Sequence, residues 1–105
     1  MAMLETDYLV IGAGAIGMAF VDTLLTDSDA QIVMVDRHHR PGGHWNEAYP
    51  FVRLHQPSAF YGVDSVPLGR GAVERSGVNA GFHEAAGADE LRAYYAQVMD
   101  QHFLP

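Results

Sequence analysis

The chain has 105 residues, enough for one small domain or for part of a larger one. Hydrophobic residues make up 49%, enough for a packed core, while 6 Lys+Arg against 13 Asp+Glu leave a net charge of −7, which argues against a nucleic-acid surface or a patch for anionic membranes. Cysteine is absent, so disulfide scaffolds, thiolate metal sites and Cys-x-x-Cys redox chemistry are excluded.

Glu5 and Asp7 stand near the start with no basic cluster, which is unlike a secretory signal. Tyr8–Ile11, "YLVI", is a short apolar run bounded by glycine and fits a strand buried on both faces, as in a parallel sheet. The apolar stretch from Tyr8 to Val21 is interrupted by three glycines and is too short to span a bilayer. A cytoplasmic protein without nucleic-acid or membrane partners is therefore expected. Ala15–Leu25 has good helix formers and no proline, Thr26–Ala30 is a polar break, and Gln31–Val35 is a second buried-strand candidate. Strand, helix and strand over residues 1–36 imply a right-handed crossover and two parallel strands.

Residues 37–88 carry most of the glycines and prolines and no long periodic segment. They read as an excursion after the second strand, with Phe51–Gln56 as a short extended piece and Gly69–Gly87 as irregular surface chain. Order returns over 89–103. Leu91, Tyr94, Tyr95, Val98 and His102 fall on one helical face, and Asp89 and Glu90 favour the first turn through the helix dipole; this helix should run to about His102. The expected fold class is α/β: a partial Rossmann-like βαβ unit with a long loop excursion and a C-terminal helix. Two strands are fewer than such a domain needs, so the chain is expected to be the N-terminal part of a longer polypeptide, whose remaining domain is its partner.

Gly12-x-Gly14-x-x-Gly17 matches the dinucleotide fingerprint. The first glycine allows a tight turn out of the strand, the second lets pyrophosphate approach the backbone, and the third lets helix and strand pack closely. The first helical residues, Ala15 and Ile16 with Gly17, offer free N–H groups at the positive end of the helix dipole. Asp36 follows the second strand, nineteen positions after Gly17. A carboxylate there can accept hydrogen bonds from a ribose diol and would repel a 2′-phosphate. This pattern alone does not separate NAD from FAD.

The next residues, "DRHHRPGGHW" (Asp36–Trp45), place Gly42, Gly43 and Trp45 in a loop, and "YPFVRLHQPSAFYG" (Tyr49–Gly62) follows. Here the chain resembles the flavin-containing monooxygenases and their Baeyer–Villiger relatives, a superfamily of flavoproteins with two dinucleotide sites. The likeness runs from Tyr8 to about Pro57. It implies FAD as cofactor, with NAD(P)H as reductant of the complete protein and a small-molecule substrate. It further implies that Gly12, Gly14 and Gly17 line the pyrophosphate, that Asp36 holds the ribose, and that Arg37 lies over the adenine. Gly43, His44 and Trp45 would follow the pyrophosphate and ribityl chain, and His55 and Gln56 would lie near the flavin. The family's second glycine fingerprint, for the nicotinamide cofactor, is not in this chain.

His38, His39 and His44 could suggest a metal, but the resemblance accounts for this loop without one, and no metal is expected. His55 could act as acid or base, though packing or a backbone hydrogen bond explains it more simply. Tyr94 and Tyr95 read as packing rather than ring-stacking residues. No catalytic residue is assigned. Three readings stand: the FAD-binding portion of an NAD(P)H-dependent monooxygenase, inactive by itself; a stand-alone NAD-binding module or dehydrogenase fragment; and a non-catalytic truncated fragment.

Overall fold

A computed structural model describes residues 3–49, 51–54, 56–76 and 80–105. Strand β1 (Tyr8–Ile11) leads through the glycine turn into helix α1 (Ala15–Asp27), and α1 returns to strand β2 (Ile32–Val35). The strands pair in parallel, with Tyr8 opposite Ile32 and Ile11 opposite Val35. The crossover expected from the pattern is therefore present, and the described part of the chain is a mixed α/β structure. Among the described residues, no helix is long and apolar enough to cross a membrane.

Both strands read as buried on both faces, but Tyr8, Leu9 and Ile11 are exposed and only Val10 is half-buried. The reason is topological. Among the described residues the sheet has two strands, and no residue of β1 packs into or against the buried cluster, so little covers its faces. The core lies elsewhere, where α1, a 3-10 turn (Gly43–Glu47), the loop at 61–68 and helix α2 (Ala88–Gln97) meet. Met18, Trp45, Leu68, Leu91, Tyr95 and Val98 are among its buried members.

Helix α2 buries the face that its spacing marks, with Leu91, Tyr94, Tyr95 and Val98 inside and Asp89 and Glu90 outside in the first turn. It does not run on as an α-helix to His102. From Val98 to Phe103 it widens to a π-helix, seen in the bond from Leu104 N–H to the Met99 carbonyl five residues back, 2.9 Å. The widening carries His102 toward α1, where its Nε2 lies 3.1 Å from Oδ1 of the buried Asp22. Oδ2 of Asp22 accepts the Ser65 N–H at 3.0 Å. One carboxylate thus ties α1 to the excursion and to the C-terminal helix, which satisfies an otherwise costly buried charge.

The excursion is more ordered than its composition suggests. Gly69–Gly87 reads as irregular surface chain, yet Val73 and His83 form an antiparallel bridge, as do Arg53 and Gly87. The Leu54 N–H donates to the Ala86 carbonyl (2.8 Å) and the Ala88 N–H to the Val52 carbonyl (2.9 Å). These pairings double the chain back, so that Ala86 enters the core and α2 starts against residues 52–54. Local composition carries no trace of the pairings that join residues 52–54 to 86–88, because those partners are more than thirty residues apart.

Tyr94 and Tyr95 pack edge to face at 5.1 Å, but their hydroxyls fare differently. Tyr94 Oη accepts the Val63 N–H at 2.8 Å and donates to the Val66 carbonyl. Tyr95 is fully buried and its hydroxyl finds no partner at hydrogen-bond geometry among the described residues, while burial, with the nearby Tyr61 hydroxyl, pushes its phenol well above the ordinary tyrosine range. An unsatisfied buried hydroxyl is a net cost. Tyr95→Phe is therefore expected to leave stability unchanged or to raise it by about 1 kcal/mol. Urea denaturation measures this, and a clear loss of stability would show that the hydroxyl has a partner.

Candidate dinucleotide site

The site begins where β1 ends. The Gly12 N–H donates to the Val35 carbonyl at 2.7 Å, which closes the sheet ladder at the last residue of β2. Gly14 is the N-cap of α1 with extended backbone, and no side chain caps the helix. The amides of Ala15, Ile16 and Gly17 have no carbonyl four residues back within the helix and remain as donors at its positive end. Gly17 is fixed by contact. A Cβ there would drive into the Gly12 carbonyl oxygen and lie 3.2 Å from its carbon.

A second glycine turn sits on the first. Gly43 has φ +56°, and a Cβ on it would stand 3.0 Å from Gly14 Cα. The Gly42 N–H donates to the Ala13 carbonyl at 2.8 Å. Asn46 holds this turn closed, its side-chain amide lying 3.2–3.3 Å from the carbonyls of Arg40, Pro41 and Gly43. From the other side, the Arg92 guanidinium of α2 donates to the Trp45 carbonyl at 2.8 Å and pairs with Asp89. Two backbone turns, 30 residues apart in sequence, thus form one side-chain-free seam.

Asp36 joins the seam to β2. Its Oδ2 accepts the Ala13 N–H at 2.6 Å, and its Oδ1 accepts the His38 N–H at 2.7 Å. These bonds, with Ala13 the larger contributor, hold its carboxyl below the ordinary value of 3.8, so it is ionised across the neutral range. His38 Nδ1 lies 3.0 Å from Oδ1, and Nε2 lies 3.2 Å from Glu47 Oε1. The bonds to Glu47 and then to Asp36 lift the imidazole above its ordinary 6.5.

Beside the seam runs an open cleft of about 740 Å³, lined by Val10, Ile11, Gly12, Gly14, Ala15, Ile16, Gly17, Phe20, His44 and Tyr61. Its size lies within the roughly 300–1,000 Å³ usual for small-molecule and cofactor sites. The donor set suits a pyrophosphate: helix amides at one end and glycines where a methyl group would intrude.

Of the candidate residues, Gly12, Gly14, Ala15, Ile16, Gly17 and His44 line this cleft, and Gly43 and Asp36 adjoin it through the seam. Ile16 is largely exposed, and so is Arg37. Trp45 faces inward instead: it is buried, and its indole N–H donates to Tyr61 Oη at 3.1 Å. Gln56 is exposed outside the cleft lining, and His55 lies outside the described residues. The sequence gives no site role to Ala13, Glu47, Asn46, Tyr61 or Arg92, and raises His38 only as a metal candidate. Only His38 carried a signal, its place two residues beyond the acid. The others matter through backbone groups or distant contacts that no spacing rule records.

A family model described as an NAD(P)-binding Rossmann-like domain matches residues 10–64, more than half of the chain. Uncharacterized proteins of Mycobacterium bovis and Mycobacterium tuberculosis are 59% identical to it over 102 residues. That match covers 97% of this chain and 19% of theirs, so the chain spans about a fifth of the length of these relatives. Among solved structures, a flavin-containing monooxygenase from Stenotrophomonas maltophilia superposes with a TM-score of 0.67 at 26% identity, covering 90% of this chain and 26% of that one. A double mutant of a flavin monooxygenase from the same organism gives 0.68. The chain belongs to the NAD(P)-binding Rossmann-like domain family, and within it resembles a segment of the flavin monooxygenases.

Proposed function

We propose that this chain is the FAD-binding portion of a flavin-dependent oxidoreductase, an NAD(P)H-using monooxygenase, and that it works as part of a longer polypeptide. The observation that carries this reading is the seam in which Gly14 and Gly43 face each other beside the N-terminus of α1. In this reading the first amides of α1 hold the pyrophosphate, Asp36 holds the adenosine ribose, Arg37 lies at the adenine, and Gly43 and His44 flank the chain toward the flavin. A bound flavin would supply two-electron redox chemistry and, once reduced, reaction with dioxygen. The residues of this chain bind and orient; the reductant and a small-molecule substrate would engage the remaining polypeptide, and the 105 residues by themselves turn over no NAD(P)H.

The family description favours a second reading, NAD(P) held at the same turn. Purification of a full-length protein carrying this segment separates the two. Yellow protein with flavin absorbance is expected. Colourless protein whose melting temperature rises with NAD and not with FAD would overturn the flavin reading and leave the second.

A further inference from the structure

His38 has no part in the dinucleotide reading, yet it is the most heavily engaged neighbour of Asp36. Its ring, 18% exposed, is held between Asp36 at the end of β2 and Glu47 at the end of the 3-10 turn. Among the described residues, those two carboxylates are the charged groups in contact with it. A carboxylate oxygen only accepts, so Nδ1 donates to Asp36 Oδ1, and the second carboxylate at Nε2 favours the doubly protonated ring, in line with the upward shift of its pKa.

This fixes what Asp36 has left to offer. An ionised carboxylate has about four lone-pair positions. The His38 N–H and His38 Nδ1 both use Oδ1, at 2.7 and 3.0 Å, and the Ala13 N–H uses one position of Oδ2, at 2.6 Å. Among the described residues three positions are filled and a single one remains, on Oδ2. A ribose presents two vicinal hydroxyls, and Asp36 has an open position for one of them.

We propose that His38 is a specificity-determining residue of the nucleotide site: its ring closes Oδ1, so that Asp36 grips one ribose hydroxyl rather than the diol. This rests on the reading that places Asp36 at the ribose. Without the ring, one position opens on Oδ1 beside the one on Oδ2, and the two oxygens can take the vicinal hydroxyls together. Glu47, 65% exposed, holds the far side of the ring and so keeps it on Oδ1.

Calorimetric titration of a flavin-free, full-length protein carrying this segment with ADP, 2′-deoxy-ADP and 3′-deoxy-ADP tests this. In the unaltered protein, one deoxy analogue should bind like ADP, while the other should bind roughly tenfold or more weakly, as expected for a lost hydrogen bond to a charged acceptor. In His38→Leu, both analogues should be weakened relative to ADP. Equal penalties for both in the unaltered protein, or unchanged asymmetry in His38→Leu, would overturn the role of His38 while ADP binding itself still supports Asp36 at the ribose. Failure of ADP to bind, or indifference to both deletions, would remove that underlying reading and the inference with it. Should His38→Leu not fold, the asymmetry in the unaltered protein decides alone.

Discussion

Gly17→Ala is expected to destabilise the chain, while Gly14→Ala, three residues earlier, is expected to spare the fold and abolish nucleotide binding. The Gly17 methyl would be driven into the Gly12 carbonyl. Gly12 cannot retreat freely, because its N–H is tied to Val35 at 2.7 Å. Relief requires α1 to move off β1. Overpacking of this kind costs about 1–3 kcal/mol, and more where the obstacle is backbone rather than a side chain that can turn aside. Gly14 is different. Its φ of −83° suits alanine, and a methyl there would meet Gly43 Cα at 3.6 Å, an ordinary contact. On the proposed reading, that methyl would nonetheless stand in the seam that the pyrophosphate approaches. Denaturation midpoints and ADP titrations on the two variants check the contrast. A Gly17→Ala protein as stable as the original would mean that α1 and β1 are not held together as described, and full ADP affinity in Gly14→Ala would move the phosphate away from the seam.

Asp36→Ala is expected to lower ADP affinity at least tenfold and to remove an acid-sensitive contribution to stability. The carboxylate accepts three hydrogen bonds as well as any from a ribose. One donor is the N–H of the buried Ala13, and an unsatisfied buried donor costs about 1–3 kcal/mol. The pH dependence follows from the direction of its shift. The folded-state value is held below the ordinary 3.8, so the ionised form is favoured by folding. Its stabilisation is fully present above about 3.8 and is lost as pH falls through the lower folded value. Denaturation midpoints followed from neutral pH into this acid range should fall in the original protein and fall less in Asp36→Ala. Parallel acid profiles would show that Asp36 carries no such linkage.

Arg92 and Trp45 show why part of the site could be read from the chain and part could not. Trp45 stands out in the Gly-Gly-His-Trp loop as a residue expected to follow the ligand, whereas its indole is buried and bonded to Tyr61, sixteen residues on. Arg92 looks like an ordinary surface cation on a helix, whereas it holds the Trp45 carbonyl 47 residues away. Neither role depends on neighbours in sequence, so neither leaves a periodic or spaced trace.

The chain alone determined the elements whose causes are local. The strand-turn-helix at Tyr8–Asp27 follows from an apolar run, glycines where backbone must pass backbone, and a proline-free helix; Asp36 follows from where the next strand has to end. The apolar face of α2 was legible for the same reason, since 3.6-residue spacing is a local property. Tertiary structure alone decided where the core sits, how the excursion pairs with itself, and what surrounds the acid. The strands looked like the core because they are the most apolar segments, but burial depends on what covers them, and no residue of β1 packs into or against the buried cluster. His38 is the sharpest case. Its nearness to Asp36 is written in the sequence, but its second bond goes to Glu47, and only the folding of the second glycine turn onto the first brings that carboxylate within 3.2 Å.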